Sequence, residues 1–184
     1  MTCMVKICGI NSEDAAIAAM SAGADALGYV FFPPSPRHIS LKGAKTLTER
    51  VPNSIYKVGL FVEAGDEALE NAIKAGNLDV IQLHGKESPE RVAEVKERFG
   101  LKVMKAISVS TANDIENAKK NYDGVADFLL FDAKPPKDSV LPGGNAVSFD
   151  WTLLTGQNFQ SNWMLAGGLD PSNVAEAVKI TGAP

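Results

Sequence analysis

Two side chains capable of acid–base chemistry stand at the ends of short apolar runs. Cys8 ends the run 4–8, and Gly9 can turn the chain immediately behind it. Asp132 follows the apolar run 129–131. Because α/β proteins keep their chemistry at the carboxyl ends of their strands, we expect this thiol and carboxyl at one rim. A buried structural cysteine and a turn-capping aspartate are the ordinary alternatives.

Lys6 lies two residues before Cys8 and therefore projects from the same face of a strand. A neighbouring cation favours the thiolate, which is the form of cysteine that accepts a proton or attacks. An internal ion-paired lysine fits the same pattern, and the sequence does not separate the two.

Arg37 ends the proline-rich segment 33–37. Prolines restrict the backbone and reduce the freedom that a loop loses on binding. A guanidinium held this way matches a carboxylate with two parallel hydrogen bonds. We therefore expect Arg37 to bind an acidic group, although a solvated surface arginine is the common alternative.

Two more groups have the properties of a ligand site. Gln82 and His84 alternate on one face of a strand-like run, so they either reach a ligand or form a satisfied polar network. Gly167 and Gly168 follow a late strand, where glycines let backbone N–H groups approach a phosphate. Alone, this pair would be a plain turn.

These residues are positioned by a regular alternation of strands and helices. The predicted strands are 4–8, 26–31, 56–61, 79–83, 102–106, 127–131 and 163–166. The predicted helices are 12–22, 41–50, 66–75, 88–99, 111–121, 148–154 and 171–180. Runs such as 79–83 are too apolar to face water on one side, which indicates parallel strands covered by helices.

Such alternation is typical of a doubly wound open sheet or a (β/α)₈ barrel. No G-x-G-x-x-G follows the first strand, which disfavours a dinucleotide fold. An aspartate introduces three alternate strands, at 25, 79 and 127, as weak evidence of repeated βα units. The proline- and glycine-rich segment 134–147 is either a lid or a long connection.

Composition sets the background of an ordinary globular protein. The chain has 184 residues, 45% of them hydrophobic, and a net charge of −4. No basic cluster suits nucleic acid, and no apolar run of about 18 or more residues suits a bilayer. Its two cysteines are five positions apart, and its two histidines have no cysteine near them, so neither a disulfide nor a metal site is expected. We expect a cytoplasmic protein that uses no cofactor and binds neither nucleic acid nor membrane.

Seven motifs, taken together, resemble the phosphoribosylanthranilate isomerase family in order and spacing. They are Lys6–Gly9, Gly28–Phe31 running into Ser35–His38, Val58–Val62, Gln82–Gly85, Leu130–Asp132, Phe149–Trp151 and Ala166–Leu169. The resemblance implies a (β/α)₈ barrel that isomerises a small phosphorylated substrate in tryptophan biosynthesis, without a cofactor. The substrate would be N-(5′-phosphoribosyl)anthranilate, and the product 1-(2-carboxyphenylamino)-1-deoxyribulose 5-phosphate.

The resemblance also implies roles for the site residues. Cys8 would be the general base that removes the proton from C2 of the ribose, and Asp132 the general acid that protonates the ring oxygen. Arg37 would bind the anthranilate carboxylate, Gln82 and His84 would contact the substrate, and Gly167 and Gly168 would bind its phosphate.

The chain departs from the family pattern in three places. Only seven of the eight βα units are present, so we expect residues 1–184 to form one incomplete barrel domain, recorded from a longer protein. Asn11 stands where the family often has threonine, and Asn145-Ala146 where it favours threonine-glycine.

Two kinds of alternative function remain. Sister phosphosugar barrels, such as indole-glycerol-phosphate synthase or a histidine-pathway isomerase, would share the phosphate loop but lack a cysteine like Cys8. Alternatively, the missing strand could leave a non-catalytic phosphate-binding fragment. The sequence does not decide between a monomer and a homodimer.

Overall fold

The computed structural model describes residues 3–136, 138–139, 143–144 and 147–184. Its strands are β1 (Lys6–Cys8), β2 (Ala26–Val30), β3 (Tyr56–Phe61), β4 (Val80–Leu83), β5 (Lys102–Val109), β6 (Phe128–Ala133) and β7 (Asn162–Leu165). The helices are α1 (Glu13–Ser21), α2 (Leu41–Thr48), α3 (Asp66–Gly76), α4 (Pro89–Phe99), α5 (Ala112–Tyr122) and α6 (Val174–Thr181). No described helix combines the length and apolarity needed to cross a bilayer.

All seven strands are parallel and pair in chain order, from β1 to β7. A doubly wound sheet changes direction in its strand order, so this sequential order excludes that alternative. The sheet curls, which brings side chains of β1 and β7 to the walls of one cavity. The predicted parallel strands covered by helices are therefore confirmed.

Alternation along each strand divides the apolar residues between two cores. One core fills the layer between the sheet and the helices and includes Leu27, Ile81 and Leu129, each 0% exposed. The other lies inside the curl, and its buried members are Ala26, Val58, Val80, Met104, Ala106, Phe128, Leu130 and Met164. Cys8, Gln82 and Asp132 also occupy inward-facing positions of their strands. Their side chains therefore lie next to the inner core, which forms the bottom of the site.

The aspartates at 25, 79 and 127 each make the same kind of hydrogen bond at the amino-terminal edge of the sheet. Each carboxylate accepts a backbone N–H near the start of the preceding strand. The pairs are Asp25 with Val5 (2.8 Å), Asp79 with Lys57 (2.8 Å) and Asp127 with Val103 (2.9 Å). The echo in the sequence is thus a repeated clamp between neighbouring strands.

Two predicted helices differ from the structure. The helix expected over 148–154 is only a 3₁₀ turn, Trp151–Leu154, in which Asp150 Oδ1 accepts the N–H of Thr152 (3.0 Å). The helix expected from residue 171 begins at Val174. The Asp170 carboxylate accepts the N–H of Ser172 (2.7 Å) and closes a local turn before this helix.

A buried ion pair between Lys105 and Glu87 fixes the loops after β3 and β4 at the carboxyl edge of the sheet, next to His84. Lys105 on β5 is 2% exposed, and its Nζ donates to Glu87 Oε2 (2.9 Å) and to the carbonyl of Gly85 (2.7 Å). Glu87 Oε1 accepts the N–H of Glu63 (2.8 Å), which follows β3. Burial alone would raise the pKa of Glu87, but the Lys105 ammonium and these hydrogen bonds outweigh it and hold the pKa below its usual range.

This pair predicts a loss of stability in acid. A carboxyl whose folded-state pKa is depressed stabilises the fold above its unfolded pKa, about 4.3 for glutamate, and that contribution disappears as pH falls through the folded pKa. We therefore expect the urea-derived free energy of unfolding to be steady from pH 7 to about 5 and to fall below about pH 4. Glu87→Gln should lower stability at pH 7 and flatten the acid slope, whereas Glu116→Gln, on the exposed face of α5, should change neither. An unchanged acid slope in Glu87→Gln would contradict this account.

Candidate active site

A cavity of about 740 Å³ opens at the carboxyl edge of the strands. Each residue singled out in the sequence contributes to its wall: Cys8, Arg37, Gln82, His84, Asp132, Gly167 and Gly168. Parallel strands place their carboxyl ends together, which explains why residues up to 160 positions apart in the chain meet there. The structure thus brings the whole predicted set to one place, while the role of each residue stays a prediction.

Cys8 and Lys6 meet over a glycine of the neighbouring strand. Cys8 pairs in register with Gly28, and the side chains of Cys8 and Lys6 both pass across that glycine. A Cβ built on Gly28 would lie 2.9 Å from Cys8 Sγ and 3.2 Å from Lys6 Nζ. The ammonium and the thiol therefore lie over the same glycine.

Gly28 is a site residue that the sequence reasoning did not single out. It lies at the inward parity of β2, between Ala26 and Val30, and directly opposite Cys8. A glycine at an inward strand position often marks a close approach of other atoms. That signal was available in the sequence once the strand register was known.

Asp132 forms the opposite side of the site and is joined to β4 by a short polar chain. Its Oδ1 accepts the N–H of Ala133 (2.8 Å), and its Oδ2 lies 3.3 Å from His84 Nε2. His84 Nδ1 in turn lies 2.9 Å from Gln82 Nε2. The side chains of His84 and Asp132 are only 8% and 11% exposed, so this chain is largely shielded from bulk water.

Arg37 extends from a folded loop after β2 toward the same cavity. Ser35, buried in that loop, accepts the N–H of Arg37 with its hydroxyl (3.2 Å). The aliphatic part of Arg37 crosses Gly9, where an added Cβ would lie 2.6 Å from Arg37 Cδ. Its guanidinium lies against Gly144, where a Cβ would overlap it. Both glycines leave the room that the arginine occupies.

Gly167 and Gly168 form a left-handed turn after β7, with φ values of +84° and +62°. A Cβ on Gly167 would lie 2.6 Å from the backbone nitrogen of Ala133, and one on Gly168 would lie 2.8 Å from that of Ser148. Side chains are therefore excluded by conformation and by space. Asn173 holds the turn by donating its Nδ2–H to the carbonyl of Gly168 (2.9 Å).

Three described residues of the segment after β6 lie over the site. Gly143, Gly144 and Val147 line the cavity, and a Cβ on Gly143 would lie 2.5 Å from His84 Nε2 and 2.9 Å from Asp132 Oδ2. Asn145 and Ala146, the departure from the family noted above, lie outside the described residues. Within the described ranges, no three His, Cys, Asp or Glu side chains converge as a metal site would require.

Comparison with known proteins gives a consistent result. The family model described as "N-(5'phosphoribosyl)anthranilate (PRA) isomerase" matches residues 5–184. The N-(5'-phosphoribosyl)anthranilate isomerase of Paramagnetospirillum magneticum is 56% identical over 179 residues, which cover 97% of this chain and 83% of that protein.

Solved structures agree. The phosphoribosyl anthranilate isomerase of Thermotoga maritima superposes with a TM-score of 0.87 at 33% identity, over 99% of this chain and 85% of that one. An isomerase in complex with reduced 1-(o-carboxyphenylamino)-1-deoxyribulose 5-phosphate gives a TM-score of 0.81 at 30% identity, over 99% and 84% of the two chains.

Proposed function

Because this chain belongs to the N-(5′-phosphoribosyl)anthranilate isomerase family, we propose that it converts N-(5′-phosphoribosyl)anthranilate to 1-(2-carboxyphenylamino)-1-deoxyribulose 5-phosphate in tryptophan biosynthesis. One observation carries the assignment to this site. A thiol on β1 and a carboxyl on β6 face a single cavity, so an acid and a base can act on one bound sugar.

Asp132 acts first, as the general acid. Its carboxyl proton passes to the furanose ring oxygen, and the bond from that oxygen to C1 breaks as the anilino nitrogen forms a double bond to C1. The product of this step is an open-chain, protonated Schiff base.

Cys8 acts second, as the general base. Its thiolate takes the proton from C2, and the electron pair of that C–H bond moves into the C1–C2 bond while the iminium nitrogen becomes neutral. The enolamine then tautomerises to the 2-ketone. The iminium is the electron sink of this step, and the Lys6 ammonium lies beside the thiol.

The other residues hold the two ends of the substrate. We assign Arg37 to the anthranilate carboxylate, because a planar guanidinium pairs with a carboxylate in two parallel hydrogen bonds. We assign the turn at Gly167 and Gly168 to the phosphate, because glycines let backbone N–H groups approach a phosphate closely. Gln82 and His84 line the wall between these two ends.

We propose that the architecture is a (β/α)₈ barrel in one domain, of which residues 1–184 supply seven units. In the described part of the chain, β1 and β7 flank the cavity without a strand between them. An eighth strand placed there would close the sheet.

We propose a cytoplasmic location, because a phosphorylated substrate is charged and does not cross membranes.

A direct assay tests the function. The fluorescence of freshly made N-(5′-phosphoribosyl)anthranilate should fall when the chain is added. The initial rate of this loss should be proportional to the concentration of the chain and should give a measurable kcat and KM at 25 °C. Tight binding of reduced product without turnover would instead support the non-catalytic phosphate-binding alternative. Absence of both in a cooperatively folded sample would contradict the proposal.

Gly28 gives a sharper prediction for the base. Gly28→Ala adds a methyl group 2.9 Å from Cys8 Sγ, so the thiol must move, and a displacement of about 1 Å can cost on the order of 10²-fold. We expect kcat to fall by about tenfold to a hundredfold with KM little changed. Gly65→Ala is the matched control, because a Cβ there meets nothing within 4 Å. Normal turnover in Gly28→Ala would show that Cys8 has room to spare.

A further inference from the structure

Only one end of the Gln82 amide has a hydrogen-bond partner among the described residues. Its Nε2 lies 2.9 Å from His84 Nδ1, but its Oε1 is buried and has no hydrogen-bond partner among the described residues. Gln82 is only 1% exposed, so bulk water does not reach this oxygen. A buried acceptor without a donor is unfavourable and requires an explanation.

This orientation fixes the proton of His84. An amide nitrogen can only donate, so His84 Nδ1 must accept and the ring carries its proton on Nε2. Nε2–H then points at Asp132 Oδ2, 3.3 Å away, while Oδ1 accepts the N–H of Ala133. Each oxygen of Asp132 then faces one N–H group, Oδ1 that of Ala133 and Oδ2 that of the ring. In this state Asp132 holds no proton to deliver.

Rotation of the amide by 180° reverses this pattern. The two ends of a glutamine amide have nearly the same shape, so the turned group fits the same space. Oε1 would then accept from His84 Nδ1–H and gain the partner that it lacks. Nε2 of the ring would be free to share a proton with Asp132 Oδ2, as a carboxylic acid against imidazole or a carboxylate against imidazolium. This second state holds one more proton than the first.

We infer that Gln82 is a positioning residue whose amide orientation sets the tautomer of His84 and thereby loads Asp132 with the proton used in ring opening. The inference rests on the proposed function, in which Asp132 is the general acid. When the Gln82 amide is rotated, Asp132 shares a proton with His84 and can act as the acid. When the amide has the orientation seen in the structure, Asp132 is a carboxylate without a proton to donate. Gln82 and His84 act here through Asp132, whether or not they also touch the substrate.

Other ionisable groups face this chain and must be separated from it in any test. Those that line the cavity come from β1, the loop after β2 and the loop after β7: Lys6, Cys8, Arg37 and Asp170. Glu63 and Glu87 lie beside Gly85, next to His84, and Lys105 pairs with Glu87 from β5. The test therefore reads the imidazole itself rather than activity alone.

Nitrogen-15 NMR of the imidazole rings provides that reading, because the chain has only two histidines. A His38→Gln variant leaves His84 as the sole signal. In the ligand-free protein we expect the proton on Nε2 at high pH and a second state, protonated on Nδ1, as pH falls. Gln82→Glu places an acceptor-only group opposite Nδ1, so Nδ1 should stay protonated and the transition should rise by about one pH unit or more.

Kinetics of the same variants complete the test. Gln82→Glu should move the alkaline limb of kcat upward by a similar amount, because the pair keeps its proton longer. Gln82→Met, which offers no donor and only a weak thioether acceptor, should populate both tautomers and lower kcat about tenfold with KM within about twofold. Gln160→Glu adds the same charge at an exposed position and should leave the imidazole signal and both limbs unchanged.

Three results would overturn the inference. One is a His84 tautomer and transition that are the same in wild type, Gln82→Glu and Gln82→Met. Another is a wild-type His84 that keeps its proton on Nε2 throughout the pH range of activity. If Gln82→Glu does not fold, an Nε2–H tautomer retained in Gln82→Met overturns the inference in its place. An inactive wild-type chain with the expected NMR behaviour would contradict the proposed function and leave the tautomer control in place.

Discussion

Cys8→Ser is expected to lower kcat by about 10²–10⁴-fold while binding of a reduced product analogue changes by less than about threefold. A serine hydroxyl fills nearly the same space beside Gly28 but does not ionise near neutral pH, so the second proton transfer loses its base. The first step, which depends on Asp132, is untouched, and the contacts of Arg37 and the glycine turn remain. The loss therefore falls on kcat rather than on ligand affinity.

The chain supplies a matched control for this variant. Cys3 is the other free cysteine; it is exposed, and its Sγ lies 3.3 Å from the carbonyl of Pro184 at the edge of the sheet. Cys3→Ser should retain kcat and KM within about twofold. Turnover close to wild type in Cys8→Ser, measured by fluorescence loss in the Cys3→Ser background, would remove Cys8 from the role of base.

Strand parity accounts for most of what the sequence revealed about the site. Lys6 and Cys8, and likewise Gln82 and His84, are two residues apart, so each pair faces the same way from its strand. A residue at the carboxyl end of a parallel strand must lie at the common rim. These two rules, with the family motifs, are enough to collect the cavity wall from the amino-acid sequence.

What the sequence left out depends on contacts between elements. Gly28 matters because it is opposite Cys8 in register, and Gly143 because a loop far along the chain crosses the His84–Asp132 pair. The last helix begins at Val174 rather than at the expected Pro171, since Asp170 closes a turn with Ser172 before this helix. Local signals at such positions fit several structures, and tertiary contacts choose among them.

The same limit applies to Lys105 and Glu87. Lys105 stands in an apolar run, where a lysine is normally exposed, yet it is 2% exposed and paired with Glu87 from the loop after β4. Nothing within either segment announces the other. The pair matters to function because it holds the backbone of Gly85, the neighbour of His84, through the Gly85 carbonyl.

Asp132→Asn should produce the other large loss, again about 10²–10⁴-fold in kcat. Asparagine retains the shape of aspartate, and its oxygen can still accept the N–H of Ala133, so the fold and the melting temperature should be nearly preserved. The amide has no acidic proton to give to the ring oxygen, so the furanose stays closed and the reaction stops before C2 is activated. Ligand affinity should change little, because binding is assigned to Arg37 and the glycine turn.

The control for charge is Asp14→Asn, which removes a carboxylate from the exposed side of α1 and should leave kcat and KM as in wild type. A second comparison separates the acid from the base. Since Asp132 acts before Cys8, the double variant Cys8→Ser with Asp132→Asn should lose far less than the product of the two single losses, because a substrate that never opens does not need a base. Losses that multiply fully would mean that both residues stabilise the same transition state, and the assigned order of ring opening before deprotonation would be wrong.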